Sequence, residues 1–249
     1  DGSLTGGMAY EGLNNLGHSA SKVTIIYNDN GRSYAPTVSL LSQSLTKIRS
    51  NPTYVKRQRK LENFVRKVPI FGKLWYSGIK SSTAAAREFA EQATLFQQLG
   101  VRYLGPFDGH DIAELESIIA KSAEFEGPTV LHVITNKGSG YAPAENDEVK
   151  NMHDMGGVKP GSYTEAFGKA ILELGRKHEC VVTITAAMPD STGLLPFMEE
   201  FPDRSFDVGI AEQHAVTAAT GMAMGGLRPV VALYSTFLTR AIDQVNLDA

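Results

Sequence analysis

The sequence is poor in cysteine, in excess charge and in long apolar runs. Its one cysteine, Cys180, excludes an intrachain disulfide and a cysteine-based zinc cluster, and it favours a reducing compartment. Lys and Arg number 24 against 27 Asp and Glu, so bulk positive charge gives no support to nucleic-acid binding. No apolar run approaches the roughly 20 residues that a membrane helix needs. We therefore expect neither a nucleic-acid partner nor a membrane partner, and a cytoplasmic location.

The 249 residues instead show the alternating pattern of an α/β protein. Hydrophobic residues make up 42% and charged residues 20% of the chain, which is ordinary for a globular protein. Continuous apolar runs, typical of buried parallel strands, alternate with stretches of helical periodicity. This alternation predicts an α/β fold with parallel sheets flanked by helices. The predicted strands are 23–28, 101–105, 129–135, 181–187 and 229–235, and the predicted helices are 6–17, 82–98, 111–125, 163–177, 211–224 and 237–247.

A polar stretch at 137–162 interrupts the alternation. It is rich in Gly, Pro and charge and has no period, so we interpret it as a long functional loop or linker. The pattern predicts two domain parts, 1–160 and 161–249. Because the chain starts at Asp1 without methionine and stops at Ala249 within a helical pattern, we expect an internal piece of a longer protein that is inactive when expressed alone.

A basic segment breaks the alternation earlier in the chain. Residues 47–67 are rich in Lys and Arg and contain a single acidic residue, Glu62. This segment is either an anion-binding patch or, as we favour, the solvated face of amphipathic helices. We expect 38–80 to form an excursion outside the sheet that is open to proteolysis.

Two short motifs carry the clearest chemical signal. DGSLTGG opens the chain, and NDNGRSY follows the first predicted strand, so that Asn30 comes 29 residues after Asp1. Both motifs then lie at the carboxyl ends of strands, where open α/β sheets bind ligands. Their side-chain oxygens suit Mg²⁺, and glycines before a helix N-terminus let a diphosphate approach the backbone. Either motif alone is also an ordinary turn, but together they predict a metal–diphosphate site.

These motifs resemble the thiamine-diphosphate motif of transketolase-like enzymes. Further blocks resemble the 1-deoxy-D-xylulose-5-phosphate synthase family, and they extend over nearly the whole chain. The blocks are GPFDGHD (105–111), KGSGYAPAE (137–145), FPDRSFDVGIAEQHAV (201–216) and YSTFLTRAIDQV (234–245).

The resemblance implies a transferase that uses thiamine diphosphate and Mg²⁺. Its substrates would be pyruvate and D-glyceraldehyde 3-phosphate, and its products 1-deoxy-D-xylulose 5-phosphate and CO₂. That product is a precursor of isoprenoids, thiamine and pyridoxal. The resemblance also implies a homodimer with the thiamine-diphosphate-binding fold. In that fold, 1–160 would be the C-terminal part of the diphosphate- and Mg²⁺-binding domain, ending in a long linker, and 161–249 the N-terminal part of the pyrimidine-binding domain. A bacterial cytosol is favoured, and a plastid stays open.

The resemblance assigns the metal and diphosphate ligands residue by residue. The metal would be held by Asp1, by Asn30 and by the backbone carbonyl of Arg32. Gly2 and Ser3 would lie against the cofactor. Lys137 matches a lysine near the diphosphate, although a solvated loop lysine would give the same letter.

Two residues are the candidates for catalysis. Glu212 matches the glutamate that hydrogen-bonds the pyrimidine ring of the cofactor, and the alternative is a helix N-terminal glutamate stabilised by the helix dipole. His153 resembles a histidine in the domain linker that can exchange protons with substrate oxygens. The stretch between His153 and Tyr163 is shorter than the family pattern.

Four further residues match the family's pocket. Phe237 matches an aromatic that stacks on the pyrimidine, and Met188 matches a thioether in the same pocket; both residue types are also common in protein cores. Tyr234 and Arg240 match residues near the substrate phosphate, for which arginine offers two parallel hydrogen bonds. For Asp108 and His110 we predict only a cap or turn role, and Asp111 is the predicted helix cap.

Two other functions stay open. A transketolase or a dehydrogenase component would share the metal motif but not the blocks around Glu212 and Tyr234. A cofactor-binding fragment would share the site without turnover.

Overall fold

The computed structural model describes residues 2–31, 95–147, 151–153 and 158–249. The chain forms two compact units. Of the described residues, the first unit contains Met8–Gly31 and 95–136, and the second contains Gly2–Gly7 and those from Lys137 to Ala249. The basic segment, and the predicted helix 82–98 apart from helical residues 95–98, lie outside the described residues. The domain division near residue 160 stays a prediction.

The first unit contains a parallel sheet. Its described strands have the order β1-β3-β2, with β3 in the centre and buried from Thr129 to Val133. β1 alternates instead: Tyr27 and Asp29 are buried, whereas Ile26 is exposed. The prediction of a continuously buried strand was therefore wrong for β1, because it pairs with β3 along one side and is an edge among the described strands. The elements are α1 (Gly7–Ser19), β1 (Thr24–Asp29), β2 (Arg102–Asp108), α2 (Ile112–Ser122) and β3 (Thr129–Ile134).

The sequence predicted that α1 ends at Gly17, because glycine commonly ends helices. This prediction was wrong. The helix continues to Ser19, and a side-chain carbon added at Gly17 would lie 1.6 Å from the carbonyl oxygen of Leu99. The helix therefore passes so close to the turn at Leu99–Gly100 that only glycine fits. The glycine serves helix packing instead of helix termination.

The second unit has its own parallel sheet, with the described strand order β5-β4-β6. The central strand β4 is buried at every position. Helix α4 covers 163–177 as predicted, beginning at the Ser162 cap. The elements are α3 (Ala142–Glu145), α4 (Tyr163–Lys177), β4 (Val181–Thr185), α5 (Leu195–Glu200), β5 (Ser205–Asp207), α6 (Glu212–Met224), β6 (Arg228–Ala232), α7 (Ser235–Leu238) and α8 (Ile242–Leu247).

Arg204 stabilises one end of this second sheet through hydrogen bonds and a contact with an aromatic ring. Its guanidinium donates hydrogen bonds to the carbonyls of His178, at 3.0 Å, and Gly175, at 3.0 Å. The guanidinium carbon also lies 3.8 Å from the ring centroid of Phe201. Phe197, on α5, is fully buried in the adjoining core with Ile171 and Leu194. The turn between α4 and β4 is thereby fixed to the short strand β5.

The remaining differences from the sequence prediction concern short elements. The predicted helix 237–247 is two short helices separated by the 3-10 helix Thr239–Ala241. The polar stretch 137–162 contains α3, which has a proline in its first turn. Strand β5 escaped prediction because it has three residues. None of the helices in the described ranges is long and apolar enough to cross a membrane.

Candidate active site

Glu212 is the first residue of α6, and it is buried, with 1% of its surface exposed. The helix is held against the sheet by Ala215 and Ala219, which pack with Ile184 of β4. Small side chains on this face let the helix approach the sheet closely. As a result, the first turn of α6 places a carboxyl group inside the unit, beside the loops that follow the strands.

Arg240 lies against this carboxyl group. Its Nη1 is 3.4 Å from Oε2 of Glu212, and its side chain is 52% exposed. Its guanidinium carbon is also 5.9 Å from the ring centroid of Phe237. The guanidinium therefore connects the buried carboxylate to solvent and to an aromatic ring, and its exposed part can reach an anion.

Tyr234, Phe237 and Met188 complete the group. The rings of Tyr234 and Phe237 stack with centroids 5.9 Å apart and an interplanar angle of 24°. The sulfur of Met188, which is buried, accepts a hydrogen bond from the Tyr234 backbone N–H at 3.4 Å. Phe237 as a whole remains 37% exposed. Five residues singled out from the sequence thus meet in the second unit, on segments that follow β4, β5 and β6.

Hydrogen bonds to two side chains, which were not predicted from the sequence, hold the loop that leads into Glu212. Oδ1 of Asp207 accepts the backbone N–H of Ala187 at 2.8 Å and that of Gly209 at 2.9 Å. Oγ1 of Thr5 accepts the N–H of Ile210 at 2.7 Å. Burial raises the pKa of the Asp207 carboxyl, and the two backbone hydrogen bonds oppose that shift. Both residues lie in motifs quoted above. A hydrogen bond between a side chain and a backbone group far along the chain, however, cannot be recognised from the sequence.

The predicted diphosphate segment is a short 3-10 helix, Gly2–Thr5. Gly2 is buried and Ser3 is exposed. The hydroxyl of Thr5 donates to the carbonyl of Gly2 at 2.6 Å. One threonine therefore contacts both this segment and the loop before Glu212, and all of these residues belong to the second unit.

Lys137 and His153 form a second pair of predicted site residues. Nζ of Lys137 is 2.7 Å from Nδ1 of His153. Lys137 is half-buried, and His153 is exposed. A lysine that donates to Nδ1 restricts the orientation of the histidine ring.

Asn30 directly follows β1 in the first unit and is half-buried. The other two predicted metal ligands, Asp1 and Arg32, lie outside the described residues. Beneath this turn, Oδ2 of Asp29 is 3.1 Å from Nε2 of His132, and Nδ1 of His132 is 2.5 Å from the hydroxyl of Tyr103. Within the described ranges, no cluster of three or more His, Cys, Asp or Glu could hold a metal ion. A metal here would depend on amide and carbonyl oxygens as well as on a carboxylate.

The turn and cap roles predicted in the first unit are confirmed. Oδ1 of Asp108 accepts the N–H of His110 at 3.0 Å, and Nε2 of His110 accepts the N–H of Asn136 at 2.9 Å. Asp111 caps α2 by accepting the N–H of Glu114.

Comparison with known proteins gives two matches to protein families. Residues 1–135 match the family described as 1-deoxy-D-xylulose-5-phosphate synthase. Residues 159–249 match the family described as transketolase, pyrimidine binding domain.

Similar proteins bear the same description. The chain is 46% identical over 258 aligned residues to the 1-deoxy-D-xylulose-5-phosphate synthase of Mycobacterium avium (strain 104). It is also 46% identical to the proteins of that name in Mycolicibacterium gilvum (strain PYR-GCK) and Mycobacterium sp. (strain KMS). In each alignment all of this chain is covered, and the chain spans 40% of the relative's length.

Proposed function

Because the chain belongs to the 1-deoxy-D-xylulose-5-phosphate synthase family, we propose that the protein joins pyruvate and D-glyceraldehyde 3-phosphate. The products are 1-deoxy-D-xylulose 5-phosphate and CO₂, and the product feeds isoprenoid, thiamine and pyridoxal synthesis. The observation that carries this proposal is the buried carboxyl of Glu212 in one cluster with Phe237, Met188, Tyr234 and Arg240.

The donor set of the second unit fits the aminopyrimidine ring of thiamine diphosphate. An exposed Phe237 ring offers a stacking surface, Met188 offers a polarisable thioether, and Glu212 offers a carboxyl that can hydrogen-bond a ring nitrogen. When bound, this cofactor accepts the electron pair left by decarboxylation. The role of the protein is to orient the ring and to keep water from the Glu212 carboxyl, which is 1% exposed.

Arg240 and Tyr234 are proposed to bind the phosphate of D-glyceraldehyde 3-phosphate. Arginine presents several N–H groups in a fixed plane that suits phosphate oxygens, and half of the Arg240 side chain is exposed. Its contact with Glu212, at 3.4 Å, is longer than a strong charge-assisted hydrogen bond. We infer that substrate phosphate competes for this guanidinium, which links substrate binding to the catalytic carboxyl.

The diphosphate and its metal are assigned to several segments. Gly2 and Ser3 would offer backbone and hydroxyl groups, and Lys137 would supply positive charge. Asn30, together with Asp1 and the carbonyl of Arg32, would give Mg²⁺ the oxygen ligands it prefers. His153 would hold or move a proton at a substrate oxygen, since Lys137 fixes the orientation of its ring through Nδ1.

A homodimer and a cytoplasmic location complete the proposal by family resemblance. The relatives named above are similar to this chain over its whole length.

The direct test is product formation by the full-length protein with Mg²⁺ and thiamine diphosphate. Pyruvate and D-glyceraldehyde 3-phosphate should give 1-deoxy-D-xylulose 5-phosphate, and Glu212→Gln should lower the rate by about 10²- to 10⁴-fold. Glu199→Gln is the matched control, because Glu199 is an exposed glutamate on α5 of the same unit. Preference for another acceptor would indicate a different transketolase-like enzyme. Cofactor binding without turnover would indicate a binding protein.

A further inference from the structure

We call the group of Glu212, Phe237, Met188, Tyr234 and Arg240 the pyrimidine cluster. Asp207 lies where two loops of this cluster meet. It is the last residue of β5, and it stands opposite Thr185, the last residue of β4. Beyond these strand ends the chain continues to Met188 on one side and to Glu212 on the other. Both continuations are loops, so the strand ladder alone does not fix them.

A single oxygen of Asp207 holds both loops. Oδ1 accepts the N–H of Ala187 at 2.8 Å and the N–H of Gly209 at 2.9 Å. Both donors belong to buried residues, and a buried N–H left without an acceptor is costly. The loop that carries Met188 and the loop that leads to Glu212 are therefore bound to one atom.

The backbone at Ala187 needs such support. Ala187 has φ +62°, a left-handed conformation that a residue with a side chain rarely adopts. Such a conformation persists only where surrounding contacts hold it. The peptide on the far side of Gly209 is held too, because Ile210 N–H donates to Thr5 Oγ1 at 2.7 Å. Without the Asp207 oxygen, the turn at Ala187 would relax, and Met188, the next residue, would move with it.

We propose that Asp207 is a positioning residue that sets the positions of Met188 and Glu212 relative to each other. This inference rests on the proposed function of Glu212. It adds Asp207, which has no role in the function proposed above. What the role requires is an acceptor oxygen in place. Burial raises the pKa of this carboxyl, which indicates that its charge is poorly stabilised there. An uncharged acceptor of the same shape should therefore serve nearly as well.

The experiment compares three variants of the full-length protein with wild type. Asp207→Ala removes the acceptor, and Asp207→Asn keeps an oxygen in the same place. Asp203→Ala is the matched control, because Asp203 is an exposed aspartate four residues earlier. The first readout is amide hydrogen exchange at Ala187 and Gly209 without cofactor, measured beside the melting temperature. The second is the separation of kcat from KM for pyruvate, together with thiamine diphosphate affinity by calorimetry.

For Asp207→Ala we expect faster exchange at Ala187 and Gly209. We also expect kcat lower by about 10- to 100-fold, since small misplacements of a catalytic group cost this much, with KM for pyruvate much less affected. Asp207→Asn should restore protection and most of kcat, and Asp203→Ala should match wild type. A purely structural role would lower the melting temperature without the selective fall in kcat.

Two results would overturn the inference. One is wild-type kcat in a folded Asp207→Ala protein. The other is an equal loss in the Asn and Ala variants. If Asp207→Ala fails to fold, Asp207→Asn alone tests the inference. Protection and kcat near wild type would support it, and faster exchange with a lower kcat would overturn it. If wild type makes no product, the proposed function fails; unchanged exchange at the two amides would then overturn the positioning role separately, and faster exchange would support it.

Discussion

Replacing His132 with phenylalanine should destabilise the sheet of the first unit. The histidine is 1% exposed, and its two ring nitrogens contact Oδ2 of Asp29 at 3.1 Å and the hydroxyl of Tyr103 at 2.5 Å. One neutral tautomer satisfies both contacts, with Nε2–H donating to the carboxylate and Nδ1 accepting from the tyrosine. Phenylalanine retains the ring, which lies 4.8 Å from that of Tyr27, but it removes both polar contacts.

The magnitude follows from the burial of Asp29. Removing the histidine N–H takes a hydrogen-bond donor away from the buried Asp29 carboxylate, and leaving a buried charge without its partner costs about 3–5 kcal/mol. Asp29 keeps one hydrogen bond, from the N–H of Gly31 to Oδ1 at 3.2 Å, so we expect the lower value, about 3 kcal/mol. Tyr103→Phe is the matched comparison. It removes one hydroxyl and leaves the contact between His132 and Asp29, so it should cost only about 1 kcal/mol.

The assay is native-state amide hydrogen exchange on β1 and β3 of the full-length protein. Global unfolding is unsuitable, because a chain with two units need not unfold in one step. A loss of about 3 kcal/mol corresponds to exchange roughly 100-fold faster, whereas Tyr103→Phe should accelerate exchange about 5-fold. If His132→Phe accelerated exchange no more than Tyr103→Phe, the buried pair with Asp29 would not stabilise the sheet as reasoned here.

Three further changes test other parts of the second unit. Gly209→Ala should lower the melting temperature and kcat, because Gly209 has φ +73° and an added carbon would lie 2.8 Å from Cβ of Thr5. The control is Gly221→Ala, which should lower neither, because Gly221 has open space around it. Arg204→Lys should cost about 1–3 kcal/mol, measured by native-state amide exchange on β4, because an ammonium cannot reach the carbonyls of His178 and Gly175 together. A loss no larger than that of Arg228→Lys would count against this. Because burial raises the pKa of Asp207, the proton-linked part of its contribution to stability is present below the unfolded pKa of about 4 and is lost as pH rises through the folded value. The stability of wild type relative to Asp207→Asn should therefore fall with rising pH, and a pH-independent difference would refute the shift.

The part of the site that could be predicted from sequence lies in continuous motifs. Glu212, Tyr234, Phe237 and Arg240 belong to uninterrupted blocks whose letters resemble one family, and the fold places them together through β4, β6 and α6. Strict periodicity also fixed α4 from 163 to 177. Strong local patterns and long motifs therefore specify both the parallel sheets and the pyrimidine cluster.

What could not be predicted depends on contacts between distant segments. Asp207 and Thr5 act on backbone groups that are remote along the chain, and neither leaves a periodic or compositional mark. Gly17 was interpreted as a helix end because its packing against Leu99 is tertiary. The predicted helix 237–247 breaks at Thr239–Ala241, although its letters continue the helical period.

The most direct test of the central claim is hydrogen–deuterium exchange at C2 of thiamine diphosphate bound to the full-length protein. The claim is that Glu212, buried in the cluster with Phe237 and Arg240, acts on this cofactor. Glu212→Gln should slow the exchange by about 10²- to 10⁴-fold while leaving cofactor affinity within a few-fold of wild type, and Glu199→Gln should leave both unchanged. Wild-type exchange rates in a Glu212→Gln protein that still binds the cofactor would contradict the account.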